Sequence, residues 1–259
     1  MDPWAAASLS FAERAAQTIQ APKPLPPSEL PALSLHVPGV THVVASDGSL
    51  QPTIFAMVAS FRDYMCPDTL EDALLRATYP ERIRFAVVQQ NGEGDVPCDR
   101  PRTVPCETDP AQMLCVHAGR VDVFSLDAGL ATGPVPARAI GAGMYAGEFY
   151  AMQIDAHLGF VEGWDVQVIE QHGATGNARA VLTTYLSDIQ GSIDSHGRST
   201  RTTTPVMCNS AFERGQQGQY MRHGSQPEIT PPLKGTPTLS PYWAAGFMFG
   251  PGRFYADVP

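Results

Sequence analysis

The stretch Glu148-Phe149-Tyr150-Ala151-Met152-Gln153-Ile154-Asp155-Ala156-His157 decides how this chain reads. From Glu148 to Ile154 it is a largely apolar run of strand length, the pattern of a central parallel strand covered on both faces. It then breaks into a carboxylate and an imidazole two residues apart. On extended backbone, positions i and i+2 point the same way, so Asp155 and His157 at a strand end can grip one divalent cation together. The bland alternative is a surface turn in which Asp155 caps a following element and His157 is merely solvated. In open α/β sheets ligands bind beyond the carboxyl ends of the strands, and that position favours the metal reading.

Working outward, Thr53 to Phe61 (TIFAMVASF), Arg84 to Gln90 (RFAVVQQ), Arg120 to Leu126 (RVDVFSL) and Ala180 to Tyr185 (AVLTTY) also read as strands. Between them, Pro67 to Thr78 places Leu70, Ala73, Leu74 and Ala77 at helical spacing, with acidic residues in the first turn and Arg76 in the last, as the helix dipole favours. Pro134 to Gly147 reads as a helix opened by proline and closed by glycine, and Trp164 to His172 as a short one. Strands alternating with helices predict an α/β fold with a mostly parallel central sheet flanked by helices. Gly141-Ala142-Gly143-Met144-Tyr145-Ala146 satisfies a dinucleotide-binding pattern. It lies inside a helix that precedes a strand, whereas that pattern must follow a strand and open a helix. Small residues for close helix-to-sheet packing explain it better.

Composition narrows the functional classes. With 259 residues and 43% hydrophobic residues the chain can bury a substantial core. A net charge of −9 argues against general nucleic-acid binding, which needs a basic surface. No apolar run reaches the roughly 18 residues of a membrane span, and Met1-Asp2-Pro3-Trp4 does not open a secretory leader. The expectation is a cytoplasmic chain, with the Golgi open if the N-terminus is incomplete. Cys66, Cys98, Cys106, Cys115 and Cys208 are odd in number and irregular in spacing, without a C-x-x-C pair. Reduced thiols are the default, and a disulfide among Cys98, Cys106 and Cys115 stays open.

Residues 1–41 read as an N-terminal extension, a short amphipathic helix followed by Ala21 to Gly39 with its six prolines, and residues 42–259 as the folded domain. Within that domain, Ile189 to Lys234 is rich in Gly, Ser, Thr and Pro and carries Arg198, Arg201, Arg214, Arg222 and Lys234 against Asp194, Glu213 and Glu228. It is either a basic acceptor-binding loop or simply mobile.

Several stretches in order resemble the GlcNAc-transferase family: Ala59-Ser60-Phe61-Arg62-Asp63, Tyr79-Pro80-Glu81-Arg82-Ile83-Arg84-Phe85, Gly133-Pro134 with Ala137-Arg138, Gly147-Glu148-Phe149-Tyr150, Gln153-Ile154-Asp155-Ala156-His157 and Trp164-Asp165. The resemblance covers residues 53 to 259. It implies a GT-A fold, a D-x-H form of the metal motif like that of the polypeptide GalNAc-transferases, and UDP-GlcNAc as donor. The acceptor it implies is a protein hydroxyl, hydroxyproline in the best-known members, with the bond formed with retention.

On that resemblance, Asp155 and His157 would hold a divalent cation, manganese by the imidazole's preference. Ser60, Arg62 and Asp63 would contact the nucleotide, Arg138 would reach the nucleotide or diphosphate, and Trp243 with Gly246 in Trp243-Ala244-Ala245-Gly246-Phe247 would shape the donor-sugar pocket. Each has a plainer alternative: an exposed ion pair for Arg62 and Asp63, a solvated helical Arg138, a core Trp243. Two departures stand out. Tyr64-Met65-Cys66 intervene where the family tends to place a proline, and Pro136 replaces a usual aromatic residue. The family also continues beyond the position of Pro259 into an acidic segment and a histidine, so the domain reads as truncated at its C-terminus. The function expected is a metal-dependent GlcNAc transferase. Alternatives are an inactive or fragmentary UDP-sugar-binding protein, or a transferase using another UDP-sugar.

Overall fold

The computed structural model describes residues 40–205, 210–215, 218–223, 228–229, 237–240 and 242–258; the expected N-terminal helix and proline-rich stretch lie outside these residues. A hairpin of β1 (His42–Val44) and β2 (Leu50–Pro52) leads into β3 (Ile54–Phe61). Helix α1 (Cys66–Arg76), β4 (Ile83–Asn91), the one-turn helix α2 (Met113–Val116), β5 (Val121–Asp127), α3 (Pro134–Ala142), β6 (Tyr150–Asp155) and α4 (Trp164–Ala174) follow. Further on come β7 (Leu182–Thr183), β8 (Thr204–Pro205), the hairpin β9 (Ser210–Gly215) and β10 (Gly218–His223), β11 (Glu228–Ile229), β12 (Phe247–Pro251) and α5 (Phe254–Asp257).

The central sheet has six strands in the order β5-β4-β3-β6-β12-β7. Its first four run parallel, while β12 is antiparallel to both β6 and β7, so the sheet is mixed. β3 lies between β4 and β6 and is apolar at nearly every position because both its faces are covered. Alternate residues divide between two cores, as the pleat requires. Ile54, Ala56 and Val58 join Leu70 and Leu74 of α1 and Trp164 and Val168 of α4. Phe55 and Met57 pack on the opposite side with Ala86, Ala151 and Tyr145. On that side α3 comes close to the sheet, and a methyl group on Gly141 would sit 2.6 Å from Met57 Cγ. This is the close packing that the small residues of the Gly141–Ala146 run predicted.

Several boundaries differ from expectation. Helix α3 stops at Ala142, because Gly143 rather than Gly147 ends it and the next residues turn through Met144 N–H to Gly141 C=O. The strand expected over Ala180–Tyr185 shrinks to Leu182–Thr183, and β12 was not anticipated at all. Of the basic stretch Ile189–Lys234, the described part folds partly into the β9–β10 hairpin.

The default of reduced thiols is corrected for four cysteines, one of their bridges falling among the pairings left open for Cys98, Cys106 and Cys115, while Cys208 lies outside the described residues. Cys66 is bonded to Cys98, and Cys106 to Cys115. The first bridge ties the start of α1 to the loop after β4 and is fully buried. Irregular spacing concealed it because the parallel sheet sets β3 and β4 side by side and thereby brings together loops distant in sequence. Glu71 of α1 fastens the far end of the same loop by accepting the N–H groups of Met113 and Leu114, both at 2.7 Å.

Two of the family-like motifs are structural pairs. Asp165, with no exposed surface, accepts the N–H groups of Thr78 and Tyr79 and two guanidinium N–H groups of buried Arg82, the shortest at 2.7 Å. Arg84 binds Glu148 and Asp122 and donates to Met144 C=O. The Tyr79–Phe85 and Trp164–Asp165 stretches thus knit the start of β4 to the helix that follows β6.

Candidate functional site

The carboxyl ends of β3, β4 and β6 finish nearly level, since Ala59 pairs with Asp155 and Phe61 with Gln90 in register. Side chains just past these ends therefore share one edge of the sheet. Ser60 is 1% exposed, and its hydroxyl has no hydrogen-bond partner among the described residues. It lines a cavity of about 240 Å³ with Ala59, Phe61, Gln90, Gly133 and Pro134. Gly133 takes φ 104°, a left-handed conformation suited to glycine, and so delivers Pro134 to the first turn of α3 beside this cavity. A buried hydroxyl without a partner in a cavity at a parallel strand end marks a place for a polar ligand.

Arg62 has φ 52°, an uncommon left-handed conformation for a residue with a side chain. Its N–H bonds Gln90 C=O, and its guanidinium forks onto Asp95 at 2.8 and 3.3 Å. The hydrogen bond with Asp95, more than the charge attraction, raises the pKa of Arg62. Asp95 is in turn held below the usual carboxylate range, first by Arg62 and then by the Gly92 N–H. Asp95 was not read from the sequence. Its signal was the glycine-rich turn Asn91-Gly92-Glu93-Gly94-Asp95 directly after a parallel strand.

Asp63 accepts the Met65 N–H at 2.9 Å through one oxygen and meets His157 Nδ1 at 2.7 Å through the other. Asp155 ends β6, with its N–H on Gly246 C=O. Arg138 of α3 lies 3.5 Å from the Asp155 carboxylate and donates to Ala245 C=O at 3.2 Å, while Gln153 donates to the same carbonyl at 2.6 Å. A Cβ on Gly246 would fall 2.7 Å from Asp155 Oδ2, so a side chain there would push the carboxylate aside. Trp243 is half-exposed rather than a core residue, and packs edge-on against Phe254 with ring centroids 5.4 Å apart.

Contacts thus join Asp63 to His157, and Asp155 to both Arg138 and Gly246, while Ser60 lines the cavity and Arg62 is turned to Asp95. Side chains of Asp155 and His157 are 39% and 57% exposed, respectively. Among the described residues neither Asp155 Oδ2 nor His157 Nε2 has a hydrogen bond, and no cluster of three or more His, Cys, Asp or Glu side chains is arranged to hold a metal. A larger recess of about 560 Å³ opens at the start of β6, lined by Tyr145, Phe149, Tyr150 and His172 among others. It lies at the wrong end of the strands for the chemistry, and the smaller cavity holds the unpartnered hydroxyl.

The model of a protein family described as Glycosyltransferase (GlcNAc) matches two overlapping stretches, residues 53–119 and 104–259, which together span more than half of the chain. No curated protein matches it.

Proposed function

Because the chain belongs to the Glycosyltransferase (GlcNAc) family, we propose that it moves N-acetylglucosamine from UDP-GlcNAc to a hydroxyl of a protein acceptor, hydroxyproline included, with retention. In this reading Asp155 and His157 would hold a divalent cation, manganese by the imidazole's preference, and the cation would supply positive charge beside the donor's diphosphate. The observation that carries it is that Asp155 ends β6 and His157 follows two residues on, each with one donor atom free of hydrogen bonds among the described residues, one strand from the cavity where buried Ser60 lacks a partner. A carboxylate oxygen and an imidazole nitrogen, both without hydrogen bonds among the described residues, fit that role, and this donor set suits manganese better than magnesium.

The chain's own groups divide the work. Ser60 and the cavity around it take the nucleotide. Arg138, oriented by Ala245 C=O, sets its charge beside Asp155 where the diphosphate would lie. Gly246 leaves room for close approach to the carboxylate, and the half-exposed Trp243 ring offers a flat apolar wall to the sugar. A divalent cation bound there supplies positive charge against the diphosphate as it departs with the glycosidic electron pair. For location, the two disulfides support maturation in an oxidising compartment rather than the cytoplasm.

Calorimetry of UDP binding with and without Mn²⁺ tests the metal; the expected result is tighter binding with it, and equal affinity would sink the metal-dependent reading. Ser60→Ala separates a ligand site from a packing defect. Removing a buried hydroxyl that has no partner should leave stability unchanged or raise it by up to about 1 kcal/mol. UDP affinity should fall about 3- to 10-fold as a hydrogen bond to the ligand is lost. An unchanged affinity would place the nucleotide elsewhere. Donor choice is tested by hydrolysis across UDP-sugars, with UDP-GlcNAc expected to be preferred over UDP-glucose and UDP-GalNAc.

A further inference from the structure

We propose that Asp63 is a positioning residue that fixes the His157 ring in the tautomer able to bind a cation through Nε2. The inference rests on the metal-dependent reading above and assigns Asp63 a part different from a nucleotide contact. Both carboxylate oxygens are already engaged, Oδ1 by the Met65 N–H at 2.9 Å and Oδ2 by His157 Nδ1 at 2.7 Å. With Oδ1 accepting the Met65 N–H, Oδ2 is left as an acceptor, so the hydrogen in the second contact is assigned to Nδ1, and Nε2 is the ring nitrogen left to offer a lone pair. Asp63 is largely buried at 19% exposure while the imidazole is 57% exposed. The ring is therefore held at one nitrogen and open at the other.

The same two contacts predict that the amide will not replace the acid. In Asp63→Asn the side chain would have one acceptor oxygen for two donors. If that oxygen stays on Met65 N–H, the amide NH₂ faces His157 Nδ1, and the ring must give up its Nδ1 proton and carry it on Nε2, where a cation would need the lone pair. If it turns to His157, Met65 N–H at the entry to α1 meets a donor. A carboxylate behind a ligating imidazole fixes its orientation and raises its basicity, and losing such a partner typically costs 10- to 100-fold in metal affinity.

The test uses the full chain. Long-range ¹H–¹⁵N spectra of the metal-free protein at neutral pH, with UDP bound, should show His157 protonated at Nδ1, and an Nε2–H ring in the unsubstituted protein would overturn the proposal without any variant. In Asp63→Asn the ring signals should move toward the Nε2–H form. Free Mn²⁺ counted by paramagnetic resonance in the presence of UDP should reveal a roughly 10- to 100-fold weaker site. Asp63→Glu, which keeps two acceptor oxygens, should recover part of that loss. If the parent chain binds Mn²⁺ and Asp63→Asn binds it equally well, the positioning role is wrong and the metal-dependent reading survives. If the parent chain binds no Mn²⁺ with UDP, that reading fails and takes this one with it.

Discussion

Asp165→Ala is expected to cost about 3–5 kcal/mol of stability, the largest single loss in this fold, because it strands the buried Arg82 guanidinium without its counter-charge. Asp165 has no exposed surface, and four donors converge on it: two N–H groups of Arg82 and the backbone N–H groups of Thr78 and Tyr79. Removing the carboxylate leaves three separate groups unsatisfied. The remaining hydrogen bond of Arg82, to Gln51 at 3.2 Å, does not neutralise its charge. For a domain of this size the melting temperature should drop by roughly 6–20 °C. Urea unfolding of Asp165→Ala, Arg82→Ala and the double variant provides the check. The double variant should lose clearly less than the sum of the single ones, since the second removal relieves an orphaned charge. A single-variant loss below about 1 kcal/mol would show that the pair is dispensable.

Asp155→Ala should behave in the opposite way. Its side chain is 39% exposed, and its nearest cationic partner, Arg138, stands 3.5 Å away, so the ion pair contributes no more than about 1 kcal/mol. The variant should melt within a few degrees of the parent. On the proposed metal-dependent reading its transfer rate should nonetheless fall at least ~100-fold, because that reading makes Asp155 one of two protein ligands for the cation and the departing diphosphate would lose charge stabilisation. Mn²⁺ should no longer strengthen UDP binding to it. Retained strengthening in a folded Asp155→Ala protein would move the cation away from β6. The two aspartates form a useful pair: one loses stability on substitution and the other loses chemistry.

The central strands of the parallel half were legible in the sequence because they are covered on both faces and appear as largely apolar runs, as in Ile54–Phe61 and Tyr150–Asp155. The strand-end position of Asp155 and His157 followed from the same reading. What escaped were features fixed by contacts far apart in sequence. β12 is short, contains Gly250 and Pro251, and exists as a strand because it pairs with β6 and β7. The Cys66–Cys98 bridge depends on which loops the sheet sets side by side, a matter on which cysteine spacing is silent. The contact of Asp63 with His157, 94 residues away, also escaped, because nothing local shows it. Arg82 and Asp165 drew notice through the family likeness, but their buried pairing required the fold.

The antiparallel placement of β12 also sets an order of assembly. Ala245 C=O meets the Gln153 side chain across 92 residues of intervening chain. During synthesis the N-terminal strands emerge first. The edge formed by β3, β4 and β6, with Ser60 and Asp155 on it, is therefore expected to take shape before Gly246 arrives to wall it. A nascent chain halted short of β12 would present the edge bearing Ser60 and Asp155 with one flank still unbuilt.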